Sequence, residues 1–366
     1  MLGPRPRAGI LEISPYVPGE SSVAGRNRSI KLASNESPFG PSPAALEAYR
    51  AAAADLFTYP DGNAMELREA IARAHGFEPD RIILGNGSDE ILTLVASAYL
   101  SPGDESISTE FSFLIYRIAT LTANARPVLT PEPNHKTDID AMIAAITPRT
   151  RVVYLCNPSN PTGTYIRKTE LERLHASLPA DVMLVIDAAY GEYVTAKDYV
   201  FGDHLVRQFD NVIMTRTFSK IYGLAAARLG WAYVPKRVGD VLNRIRLPFN
   251  TSRPAQAAGV AALKDRMHIE KSVRHNADWR ERLTNEITGL GISVVPSQAN
   301  FLMLDFSALG PGAAAAVDKA LKSEGLILRM LANYGLPNAL RFTIGLEDAN
   351  NAVVDVLKRF VAEWKK

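Results

Sequence analysis

Lys220 lies just beyond an apolar run, Val212-Ile213-Met214-Thr215, in the string Thr217-Phe218-Ser219-Lys220-Ile221-Tyr222-Gly223-Leu224-Ala225-Ala226-Ala227-Arg228. A lysine at the end of a strand can be held desolvated and near other cations. Both effects lower its pKa and make it an amine nucleophile able to form a Schiff base. Thr217, Ser219 and Arg228 bring the hydroxyl and guanidinium donors that a phosphate needs. A Schiff-base lysine beside a phosphate cup points to pyridoxal phosphate (PLP). The competing reading, a solvated surface lysine, fits this string poorly, because charged residues seldom sit unpaired at the end of an apolar strand.

Four other strings carry candidate chemistry. Gly85-Asn86-Gly87-Ser88-Asp89-Glu90 joins a strand to a helix. Its glycines permit a tight turn and a close backbone approach, and the first amides of the Ser88 helix can bind a phosphate. A plain turn with a helix cap explains that string equally well. Asn157-Pro158-Ser159-Asn160-Pro161-Thr162-Gly163 is a rigid loop after a strand, able to hold the Asn160 amide against a ring oxygen. Asp187-Ala188-Ala189-Tyr190 ends the strand Met183-Leu184-Val185-Ile186. An aspartate there can pair with a protonated pyridine nitrogen, and Tyr190 can donate to the ring's phenolic oxygen. A helix cap is the plainer role for a lone aspartate at that place. In Phe57-Thr58-Tyr59-Pro60-Asp61-Gly62 the proline and glycine make a turn that projects Tyr59, and the residues by themselves say no more than that.

The elements that must position these residues alternate along the chain. Strand patterns fall at 81–84, 105–109, 152–156, 183–187, 212–217 and 229–234, with helical patterns at 88–99, 113–123 and 168–178. Such alternation predicts an α/β fold with a mainly parallel sheet, in which ligands collect at the carboxyl ends of the strands. After Pro248 the texture changes. A long helical stretch over 254–290 precedes strands near 292–295, 301–305, 327–330 and 340–344, a helix at 313–323 and a closing helix at 348–364. The expected organisation is an N-terminal arm, 1–35, joining the small domain, a large cofactor-binding domain, 36–250, and a smaller α/β domain, 251–366.

Composition narrows the class. The 366 residues are 47% hydrophobic and 22% charged, as in globular domains, and the net charge of +2 gives no case for nucleic acid or an anionic membrane as partner. One cysteine, Cys156, excludes an internal disulfide and fits a reducing, cytoplasmic compartment. The start of the chain lacks a signal-peptide core, and no apolar run reaches transmembrane length. The six histidines are scattered, so no metal site is expected.

In order and spacing, the glycine turn, the Asn157–Gly163 loop, Asp187 with Tyr190, and Ser219-Lys220 with Arg228 resemble the fold-type I PLP aminotransferases. The resemblance runs from about Ile13 to the C-terminus. Within that superfamily the chain is most similar to the histidinol-phosphate aminotransferases. Ser14-Pro15-Tyr16, the segment Lys31–Pro38, Phe113-Leu114-Ile115-Tyr116, Pro248–Ser252, and Tyr334-Gly335-Leu336-Pro337 leading to Leu340–Gly345 carry that similarity.

The resemblance implies roles. Lys220 would hold the cofactor as a Schiff base and later shuttle a proton. Asp187 would keep the ring nitrogen protonated, Asn160 and Tyr190 would bond the ring oxygen, and Phe113 would stack on the ring. Ser88 and Asp89 through backbone amides, with Thr217, Ser219 and Arg228, would hold the phosphate. Tyr59 would reach that phosphate from the other subunit of a homodimer. Arg341 would bind the carboxylate of glutamate and, with Arg329 and Tyr16, the phosphate of histidinol phosphate. One residue departs from the family: Met330 follows Arg329 where a proline is usual. Its expected place near the substrate pocket would widen and grease that pocket, favouring phenylalanine or tyrosine. The alternatives to histidinol-phosphate transamination are therefore an aromatic amino acid aminotransferase, then a PLP-dependent phospho-amino-acid decarboxylase, then a non-catalytic regulator.

Overall fold

The computed structural model describes residues 3–15, 17–23 and 29–364. A seven-stranded sheet runs in the order Ile82–Gly85, Gly230–Tyr233, Val212–Thr217, Met183–Asp187, Thr150–Cys156, Glu105–Thr109, Arg126–Thr130. Gly230–Tyr233 is antiparallel to both neighbours, and the remaining pairs are parallel. The strands ending at Gly85, Cys156, Asp187 and Thr217 therefore finish on one edge of the sheet. Period-two alternation splits the apolar side chains between the faces. Leu184 and Ile186 join the core on one side, with Val153 and Leu155, while Met183 and Val185 join the core on the other, with Val152 and Tyr154. Both faces are covered, as a parallel sheet requires.

Three features differ from the sequence expectation; one is that the strand expected at 327–330 is split, with Leu326–Ile327 and Arg329–Leu331 in different sheets. Arg126–Thr130 forms an edge strand, and its half-exposed run containing Pro127 gave no strand pattern. The helical stretch 254–290 is two helices, Arg253–Lys264 and Arg266–Gly289, broken at Asp265, whose side chain caps the second by accepting from the His268 amide.

A second sheet, Arg329–Leu331, Leu336–Thr343, Phe301–Asp305, Ser293–Val295, is antiparallel throughout and packs on the helices Ala313–Ser323 and Glu347–Trp364. Leu32 enters this smaller core, and Ile30–Lys31 pairs with Leu326–Ile327, which ties the N-terminal segment to it. The large core continues past residue 250, because Ala255, Ala258, Val260 and Leu263 of the Arg253–Lys264 helix pack in it. The cores part within the long helix that follows. Ile269 and Val273 lean on the large core, whereas Trp279, Leu283 and Ile287 belong to the small one.

Candidate active site

A cavity of about 240 Å³ opens where the strand ends of the large sheet meet the small sheet and the segment 33–36. Ser88, Asp89, Phe113, Asn160, Asp187, Tyr190, Thr217, Ser219, Lys220, Arg228, Arg329 and Arg341 all line it. Of the remaining candidates, Tyr16 lies outside the described residues. Tyr59 is 78% exposed and stacks on Phe249 with ring centroids 4.6 Å apart, away from the cavity of its own chain.

One end is an anion cup made largely of backbone. The helix Ser88–Tyr99 starts there with no side-chain cap on its first amides, so those donors and the positive end of the helix dipole are available to an anion. Gly87 sits at φ +82°, a strained conformation for any other residue, and a Cβ there would meet an Arg228 Nη at 2.2 Å and push that side chain aside. A Cβ on Gly230 would strike the Ser88 amide nitrogen at 2.2 Å. Arg228 donates to Ser219 Oγ at 3.2 Å and pairs with the Asp89 carboxylate at 3.3 Å. The Ser219 amide donates to Thr217 Oγ1 at 3.1 Å, fixing the turn that leads to the lysine.

Lys220 Nζ donates to the Ser34 carbonyl at 3.0 Å. Burial and the Arg341 guanidinium push its pKa down to about 8, against the opposing pull of Glu36 and Asp89. Asp187 is buried at its strand end. It accepts from the Tyr116 hydroxyl at 2.7 Å and from Thr215 Oγ1 at 3.1 Å. Burial raises its carboxyl to about 6 although both hydroxyls favour the charged form. A buried carboxylate in that state lacks a cation, and a protonated pyridine nitrogen would supply one.

At the other end, Arg341 is buried and donates to Asn160 Oδ1 and to the Ala33 carbonyl at 2.7 Å, while its Nε has no partner. A guanidinium only donates, so Asn160 must face it with Oδ1 and keep its NH₂ for another acceptor. Arg329 stands directly opposite Arg341 in the antiparallel register and donates to the Val17 carbonyl at 2.8 Å. Met330 points the other way, into the small-domain core, and does not line the cavity. The expected apolar widening of the pocket is thereby corrected: along a strand, neighbours face opposite sides.

Several contributors escaped the sequence reading. Tyr116 holds Asp187 and meets Phe113 edge to face, with centroids 5.9 Å apart. The available signal was the Phe113–Tyr116 string that carried the family similarity; Phe113 is the N-cap residue of the helix Leu114–Thr122 and Tyr116 lies in its first turn. Ala33, Ser34 and Asn35 act from an irregular segment with no periodicity to mark it. The arrangement offers an anion cup, a nucleophilic amine, a carboxyl placed for a cationic ring nitrogen, and an arginine pair for a second anion. These are the donors that pyridoxal phosphate and an anionic substrate require.

Residues 27–356 match the model of the family "aminotransferase class I and II". A Rhodopseudomonas palustris protein named histidinol-phosphate aminotransferase is 52% identical over 99% of this chain and all of its own length. A protein of the same name from Nitrobacter hamburgensis is 51% identical over the same shares. The crystal structure of histidinol-phosphate aminotransferase from Sinorhizobium meliloti, in complex with pyridoxal-5'-phosphate, superposes with a TM-score of 0.87 at 28% identity, covering 93% of this chain and 92% of that one.

Proposed function

The chain belongs to the class I and II aminotransferases, PLP enzymes of fold type I, and from that premise we propose that it exchanges an amino group between histidinol phosphate (or its oxo form) and the glutamate/2-oxoglutarate pair, in histidine biosynthesis. The observation that carries the substrate reading is the cross-strand pair Arg329 and Arg341. Like charges directly opposite one another in a sheet destabilise it. A pair kept at the cavity wall fits a phosphate dianion, which takes several strong donors, where a carboxylate is served by one guanidinium.

The bound cofactor supplies an electron sink for charge that develops at the substrate's Cα. The chain supplies the rest. Lys220 Nζ, with its lowered pKa, takes the proton from Cα and returns it. Asp187 would hold the proton on the ring nitrogen. Asn160 and Tyr190 would serve the ring oxygen as donors, and Phe113 would pack against the ring. The Ser88 and Asp89 amides, Thr217, Ser219 and Arg228 would hold the phosphate. Arg341 receives the carboxylate of glutamate, and Arg329, Arg341 and Tyr16 the phosphate of the other donor.

The protein works as a homodimer in this reading. Leu56, Phe57, Tyr59, Leu247 and Phe249 are exposed, and Tyr59 stacks on Phe249, as apolar surface that a partner would cover. Tyr59 would then complete the partner's phosphate cup. A cytoplasmic location fits the free, buried Cys156. Among the described residues no helix is long and apolar enough to cross a membrane.

A half-reaction screen tests the substrate. Purified protein is mixed in turn with histidinol phosphate, glutamate, phenylalanine, tyrosine and phosphothreonine, and the cofactor absorbance and any released CO₂ are followed. Histidinol phosphate and glutamate should convert the cofactor fastest. Faster conversion by phenylalanine or tyrosine would replace this reading with an aromatic aminotransferase, and CO₂ from phosphothreonine would replace it with a lyase.

A further inference from the structure

We propose that Asn35 is a positioning residue that fixes the direction of the Tyr190 hydroxyl, so that the phenol proton points into the cavity. The inference rests on the cofactor reading above.

Asn35 Nδ2 donates to the Tyr190 phenol oxygen at 2.9 Å. The orientation of that amide follows from its other end. The Asn35 backbone N–H donates to Thr343 Oγ1 at 3.0 Å, and Thr343 Oγ1 lies 3.1 Å from Asn35 Oδ1. With its oxygen already receiving the backbone proton, Thr343 places its own proton on Oδ1. A flipped amide would turn NH₂ toward Thr343 and leave that hydroxyl proton without an acceptor. Asn35, Thr343 and Tyr190 are 1%, 3% and 3% exposed, so water is not there to replace a lost partner.

Tyr190 therefore receives a proton from Asn35 and must spend its own elsewhere. The groups that also face it are Arg341, Cys156, Asp187 and Lys220, the last with Nζ 5.7 Å from the ring centre. No hydrogen bond from Tyr190 to any of them is present, and Tyr190 lines the cavity. An oxygen of a bound ring is the acceptor that this polarity selects. Thr343 and Arg341 lie two apart on one strand and so share the face toward the cavity. The strand that presents the substrate-binding arginine thus also sets the tyrosine.

A donor on the ring oxygen stabilises its anionic form, so the bound chromophore loses its proton at lower pH. Asn35→Asp keeps the size and tolerates the left-handed backbone at φ +58°. Its carboxylate would take the phenol proton away from the ring. The test is a pH titration of the cofactor absorbance in purified holoenzyme for wild type, Tyr190→Phe, Asn35→Asp and the double variant. Both single variants should titrate at least about one pH unit higher, tenfold in proton affinity, and the double variant no higher than Tyr190→Phe. Thr343→Val, which carries no added charge, should shift in the same direction by less, and Thr343→Ser should titrate as wild type. An Asn35→Asp shift that persists in full on the Tyr190→Phe background would be through-space charge alone and would overturn the proposal. So would an unshifted midpoint in both Asn35→Asp and Thr343→Val. A wild-type protein that takes up no cofactor would instead overturn the functional reading, and the positioning role of Asn35 with it.

Discussion

At one end of the cavity the anion cup is built from the helix start at Ser88 and two glycines pressed against Arg228 and the Ser88 amide, all within the large core. At the other end Arg329 and Arg341 sit on the small sheet and lean on Val17, Ala33 and Asn160, which belong to the N-terminal segment and to a loop of the large core. The first end has backbone geometry with little room for another shape. The second is long side chains held by polar links across three parts of the molecule. A fixed cup suits a phosphate that never leaves, and an arginine pair whose outer member, Arg329, can adjust beside a buried Arg341 suits two substrates whose anions differ in charge and size.

The sharpest way to break that comparison is at the adjustable end. Arg341→Ala should cripple both half-reactions, and Arg329→Ala mainly the one with histidinol phosphate, by roughly 1.5–3 kcal/mol for a lost charged hydrogen bond. Single-turnover rates with each donor measure the split. Equal losses for both donors in Arg329→Ala would make that arginine structural. At the fixed end, Gly87→Ala should weaken the cofactor for every donor alike. Strain of about 1–3 kcal/mol at a positive φ, with a Cβ against Arg228, should appear in the cofactor dissociation constant.

Between the ends, Asp187 offers a pH test. Its folded pKa of about 6 lies above the ordinary 3.8, so the cofactor-free protein binds the proton more tightly than the unfolded chain does. Stability from this group is present below about pH 4 and lost as pH rises through 6. Asp187→Asn should flatten that part of the melting profile in the cofactor-free protein. Loading the wild type should flatten or reverse it, because a cationic ring nitrogen favours the carboxylate. The smallest effect belongs to Met330→Ala, which should lower stability by about 1 kcal/mol and leave donor preference unchanged. A changed preference would return Met330 to the pocket.

Much of the first end and of the middle was legible in the sequence, because the Ser88 helix start, Lys220 and Asp187 follow strands whose apolar runs are unmistakable. The other end was legible only in part. Arg341 and Arg329 carried a family signature, and Asn35, Thr343 and Tyr116 lay inside strings that did without a role being read for them: Asn35 meets Thr343 across 308 positions, and Tyr116 meets Asp187 across 71. Neither pairing leaves a periodic trace. The break at Asp265 was hidden for a different reason, since both flanking stretches have good helix formers and only the cap tells them apart. Met330 was misplaced because spacing along a strand was read without its alternation.

The holds that Ala33 and Ser34 exert on Arg341 and Lys220 come from main-chain carbonyls. No substitution deletes a carbonyl, so these two anchors survive genetic drift that would erase a side-chain anchor. For anyone wishing to retrain the enzyme toward a new amine, this divides the lining into dials and fixtures. Arg329 and Gly19 can be randomised in a library while the anchoring of the amine and the inner arginine is inherited intact by every clone.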